Sequence, residues 1–146
     1  MSAYSLKPIT TTAATLTLDY DKHNNTTVVV NRAAGCTVTL PAASGSGACY
    51  TVMVGTTISS NSFILKVANA SDTMVGQLAS ATTTLGTASS EAAGGTDDTI
   101  TMNGTTTGGI AGSVVKATDI AANLWLVDGK LVGSGTLATS LSAAVS

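Results

Sequence analysis

Apolar and polar residues alternate with a period of two along most of this chain. The alternation runs through "TLTLD" at 15–19, "TTVVVN" at 26–31, "CTVTL" at 36–40, "CYTVMVG" at 49–55 and "SFILKVA" at 62–68. It resumes in "DTITMNG" at 98–104, "SVVKA" at 113–117, "LWLVDG" at 124–129 and "KLVGSG" at 130–135. Turn-forming Gly, Asn, Asp, Ser and Pro separate these runs, and no apolar face of period 3.6 survives ten residues. The pattern predicts an all-β fold of short strands, either a small antiparallel β-barrel or a sandwich or meander. Three segments fall outside it. Residues 1–14, with Pro8 and a threonine run, read as an extended N-terminal arm. Residues 78–97, "LASATTTLGTASSEAAGGTD", read as a long surface loop or insertion. Residues 136–146 read as a C-terminal tail, which leaves a single domain over 15–135.

Composition sharpens this picture. The chain has 146 residues, of which 10% are charged and 3% aromatic, against about 25% charged in an ordinary domain. Mean hydropathy is +0.37, yet Gly, Thr and Ser interrupt every apolar run well short of a membrane-spanning helix of ~18 residues. The apolar mass is therefore expected to pack against protein, with no membrane partner. The polar side of each strand is left mainly to threonine, whose methyl packs while its hydroxyl bonds across strands. Edge strands of monomers are usually guarded by Lys, Pro or inward-pointing charge. Val28–Val30 and Cys49–Val54 lack such guards, so sister subunits are expected to cover them in an obligate homo-oligomer.

Charge and motif chemistry narrow the function. A net charge of −2, with Lys7, Lys22, Arg32, Lys66, Lys116 and Lys130 scattered, offers no basic patch for nucleic acid. The first residues lack the apolar core of a secretory signal, so synthesis and residence in the cytoplasm are expected. Asp19, Asp21 and His23 alternate in "DYDKH"; on a strand they would share a face with metal-ligand chemistry, and in a turn they are solvated. No nucleophile elbow accompanies His23, and Asp97 and Asp98 are adjacent and so point to opposite faces of a strand, a poor arrangement for glycoside cleavage. The pattern argues against an enzyme and calls for no cofactor and no resident metal. "GSG" at 45–47 looks like a phosphate loop but precedes no helix, and reads as a mobile hairpin tip. Cys36 and Cys49 flank that hairpin, either as a disulfide or as two small buried thiols.

The stretch Thr39-Leu40-Pro41-Ala42, with Gly47 and the strand 49–54, continues into Asp72-Thr73-Met74-Val75-Gly76 and then Trp125-Leu126-Val127. This succession resembles a recurring motif of bacteriophage virion structural proteins, small trimeric β-structures found in capsid decoration (cement) proteins, head fibres and tail fibres. The resemblance spans roughly residues 27 to 135 and departs from the motif in the length of 78–97. It implies a homotrimer, with Leu40, Pro41, Gly47, Asp72, Gly76 and Trp125 as structural motif residues. Pro41 ends a strand and restrains its predecessor. Asp72 and Gly76 bracket a tight return. Trp125 plugs the base of the core or, in the other reading, stacks on sugar. A decoration protein is expected on the outer capsid surface of the virion, bound to the major capsid protein and stabilising the shell. Tyr4, Leu6 and Ile9 of the arm are its expected capsid contacts. The alternative is a head-fibre or tail-fibre module that binds host-surface glycan.

Overall fold

A computed structural model describes residues 7–145; the expected capsid contacts Tyr4 and Leu6 lie outside them. The chain forms β1 (Ile9–Thr11), β2 (Thr15–Thr17), a one-turn helix α1 (Tyr20–His23), β3 (Thr26–Val30), β4 (Cys36–Thr39), β5 (Cys49–Val54) and β6 (Phe63–Lys66). The second half adds β7 (Thr73–Thr82), β8 (Ala88–Ala93), β9 (Thr99–Met102), β10 (Val114–Ala121), β11 (Leu124–Gly133) and β12 (Leu141–Ser142). The strands build two sheets, ordered β1-β3-β5-β10-β11-β7-β8 and β12-β9-β6-β4-β2, and neither closes on itself. The all-β expectation is met, whereas the antiparallel one is corrected. The pairs β1–β3, β3–β5, β2–β4, β4–β6 and β7–β11 are parallel. The others are antiparallel.

The cause lies in how the chain travels. From β1 to β6 each strand crosses to the opposite sheet, so every second strand returns to the first sheet in the same direction. A parallel pair needs a crossover of about a dozen residues or more; here the crossover is itself a strand of the facing sheet. The result is three stacked coils in which identical phases coincide. Ile9, Val28 and Val52 share one row, and Leu16, Val38 and Leu65 share another.

Those rows make the core. In the first sheet the row of Val28 and Val52 continues through Val115 to Gly129 and Leu78. Gly129 leaves room that its neighbours occupy, since a Cβ there would stand 2.6 Å from Leu78 Cδ2. In the second sheet Leu65 is followed by Ile100 and Leu141. Val28, Val38, Val52, Leu65, Val115 and Ile100 are fully or almost fully buried and belong to one apolar cluster shared by both sheets.

Three segments differ from their sequence reading. The stretch 78–97 is not a loop: it holds the end of β7 and all of β8, paired from Gly76↔Ala93 to Ala81↔Ala88. Of this hairpin Leu78 enters the core and Ala93 packs against it, while the remainder is largely Ala, Ser, Thr and Gly with Leu85 exposed, so apolar alternation gives it no signature. Within the expected arm, Ile9–Thr11 is the edge strand of the first sheet. Within the expected tail, Leu141 is buried on β12. Cys36 and Cys49 stand on strands of different sheets and are free thiols.

Gly76 marks the tightest point of the β7–β11 seam. Its φ is +124°, and a Cβ would fall 1.9 Å from the carbonyl oxygen of Val127. Gly76→Ala should therefore lower the unfolding free energy by about 3 kcal/mol through strain and backbone displacement. Leu65→Ala should cost a similar amount, about 3 kcal/mol, by opening a cavity. Urea denaturation measures both, and a change under about 0.5 kcal/mol for either contradicts this packing.

Candidate functional site

The loop from Pro41 to Ala48, between β4 and β5, gathers most of the sequence motif. Leu40 is fully buried and its N–H donates to the carbonyl of Lys66 at 2.9 Å, so the second sheet holds the loop's entrance. Pro41 then stops the ladder. Gly45 and Gly47 take φ values of +78° and +76°, the left-handed turns that fold the loop back.

Such a loop exposes N–H groups that no strand can satisfy, and two buried carboxylates accept them. Asp72, 1% exposed, accepts the Ala43 N–H at 2.9 Å through Oδ2. Asp119, 3% exposed, accepts the N–H groups of Ser44, Gly45 and Ser46 at 3.0, 2.7 and 3.2 Å. The hydroxyls of Ser44 and Ser46 also donate to it, at 3.2 and 2.7 Å. Backbone bonds complete the grip: Gly47 N–H donates to the Asp119 carbonyl, and Asp119 N–H to the Ala48 carbonyl, both at 2.9 Å. Burial pushes the Asp119 carboxyl up, but the Ser46 hydroxyl and the three backbone donors outweigh it and hold it below the usual carboxylate range.

"GSG" is therefore part of an anion cradle, and its anion is the protein's own side chain. The reading of a mobile hairpin tip is corrected. Backbone N–H groups in consecutive turns form a nest for negative charge without any helix, and here Asp119 fills it.

The motif residues take distinct places around this knot. Leu40, Pro41, Gly47 and Asp72 belong to the loop and its anchors. Gly76 lies in the adjoining seam. Trp125 is fully buried on β11 opposite Met74, its ring 5.8 Å from that of Tyr50 at 57°. Its indole Nε1, like Asp72 Oδ1 and His23 Nε2, is buried without a hydrogen-bond partner. Ile9 packs against the apolar core, so β1 presents its backbone edge outward rather than that side chain. Asp119 was not singled out from sequence, although a signal existed. Val115, Ala117 and Asp119 occupy successive inward positions of one strand, and a carboxylate in the core-facing phase needs several donors.

Asp19, Asp21 and His23 form a cap. Asp19 accepts the N–H groups of Asp21 and Lys22 at 2.9 and 3.3 Å and donates its own N–H to His23 Nδ1 at 2.9 Å. This is an N-cap closed by an imidazole acceptor. Among the described residues no group of three His, Cys, Asp or Glu side chains is placed to hold a metal ion. The cap sets Tyr20, 53% exposed, at the rim of a cavity of about 360 Å³ that Pro41, Ser44, Ser46, Tyr50 and Trp125 also line.

Comparison with protein-family models, with curated proteins and with solved structures finds no match. Geometry alone carries the reading of this site.

Asp119→Ala strands five donors of Ser44, Gly45 and Ser46 and should lower stability by about 2–4 kcal/mol. Both Asp119 and His23, whose burial holds it below its usual range, bind fewer protons folded than unfolded. Stability should thus fall with acidification, His23 acting below about pH 6.5 and Asp119 below about pH 4, each until its folded pKa is passed. Chemical denaturation across pH checks this. Asp119→Asn should flatten the limb below about pH 4, and an unchanged limb would contradict the clamp.

Proposed function

We propose that this chain is a virion structural subunit, a capsid decoration protein that binds the outside of a phage head as a homotrimer and stiffens the shell. The observation that carries the reading is the pair of bare edges on the first coil. Val28–Val30 and Cys49–Val54, expected to be bare, are paired on both sides inside the first sheet. The edges fall instead on β1 and β2, which each end their sheet, and residues 9–18 between and within them carry no charge. Unpaired strand edges without Lys, Pro or inward charge are templates for pairing with another chain. Stacked coils likewise need a cap at each end, and a neighbouring subunit or the major capsid protein supplies one here. Binding by several copies to a lattice multiplies modest contacts into avidity, with apolar burial contributing about 25 cal/mol per Å². The motif resemblance supports the same reading. The loop clamps suit it too, since rigid loops order little on binding.

A head-fibre or tail-fibre module that binds host-surface glycan is the second reading. It is supported by the convergence of Tyr20, Tyr50 and Trp125 beside two serine hydroxyls in a chain with few aromatics.

Purified protein added to undecorated heads should bind and raise the temperature at which DNA escapes. Replacing Thr10 and Thr15 by Lys, both exposed positions on the edge strands, should abolish binding while leaving the denaturation midpoint nearly unchanged. Heads that do not bind the wild-type protein, or that bind the double variant equally well, contradict this assignment.

A further inference from the structure

The cavity beside the clamped loop has a chemistry that neither sheet requires. At about 360 Å³ it sits at the small end of ligand pockets, which span about 300–1,000 Å³. That volume suits one sugar ring better than an extended peptide. Tyr20 stands exposed at its rim, while Tyr50 and Trp125 form its floor. An exposed aromatic ring beside hydroxyl groups offers an apolar platform for C–H faces together with polar anchoring points.

The polar inventory selects the class of ligand. Ser44 and Ser46 spend their hydroxyl protons on Asp119, and Ser46 Oγ also accepts the Ala48 N–H at 3.2 Å, so what each hydroxyl has left to offer is acceptor capacity. Trp125 is fully buried beneath the cavity, and its indole N–H is not open to a ligand. Asp119 is saturated by the loop, and among the described residues no Lys or Arg lines the cavity. An anionic ligand would therefore meet a carboxylate with no cation to offset it. A neutral ligand carrying O–H donors on a ring with apolar faces fits this set.

We propose that the cavity binds one neutral hexose unit of a larger glycan, with Tyr20 as the stacking platform and the Ser44 and Ser46 oxygens as acceptors. The inference rests on the glycan-binding reading and names its site. It also specifies binding without cleavage. Glycoside hydrolysis uses a pair of carboxyl groups, whereas among the described residues Asp119 is the sole carboxylate lining the cavity and its oxygens are already engaged. The clamp keeps the loop in place before the ligand arrives, which limits the ordering cost of binding.

The full chain is titrated with the methyl glycosides of glucose, galactose, mannose and N-acetylgalactosamine and with sialic acid, followed by calorimetry and by tryptophan emission. The same protein is applied to a glycan array. At least one neutral glycoside should saturate, shift the Trp125 emission and remain uncleaved. Tyr20→Ala, at an exposed position, should weaken it about tenfold, while Lys22→Ala should not. Flat titrations with a positive array, or equal binding by Tyr20→Ala, overturn this site and leave glycan binding to another surface. Tighter binding of sialic acid than of every neutral sugar overturns the ligand class. Flat titrations with a blank array overturn the site and the glycan-binding reading together.

Discussion

The constraint on which the rest of this structure depends is the alternation of β1 to β6 between two sheets. Crossing at every step makes the returning strands parallel, brings equal phases into register and builds one apolar interior from Val28, Val38, Val52 and Leu65. The same step leaves the first coil with no further strand beside it among the described residues. Closure into a barrel would remove both edges, but the sheets stay open, and β1 and β2 end them with threonine and isoleucine instead of charge. The paucity of charge and the proposed role as an assembling part thus share a physical origin.

A fold made of short strands must also satisfy many loop N–H groups, since a buried donor without a partner costs about as much as a lost hydrogen bond. This chain spends its few acids on that task. Asp72 and Asp119 hold the Pro41–Ala48 loop. Glu91 accepts the Ser140 N–H at 2.9 Å and the hydroxyls of Thr139 and Ser140, which seats the segment before β12. Asp98 accepts the Ala144 N–H at 2.8 Å, and Asp97 that of Gly94 at 2.7 Å. Carboxylates that in other proteins advertise catalysis or solubility are here internal fastenings.

Much of the strand content was legible because a half-buried strand writes its two faces into the sequence, as in "CTVTL" and "CYTVMVG". Direction and sheet membership were not, since parallel and antiparallel strands show the same alternation, and 36–40 and 49–55, read as the two arms of a hairpin, lie in different sheets. β8 was hidden because "ASSEAA" buries little beyond Ala93, its place being set by backbone pairing to β7 and by the contacts of Glu91 with Thr139 and Ser140. At the site, Pro41, Asp72 and Trp125 stood out by their chemistry. Their organising partner, Asp119, did not: its place in the inward phase of "VVKATDI" signals a buried carboxylate, but the loop that supplies its donors lies some seventy-five residues earlier in the chain.

If the bare first coil is an assembly surface, the protein has no reason to persist as a lone copy. Sedimentation equilibrium of the purified chain at micromolar concentration tests this most directly. The account predicts a single species of three times the 14.3 kDa subunit mass. A stable species of one subunit mass, unchanged as concentration rises, would contradict it.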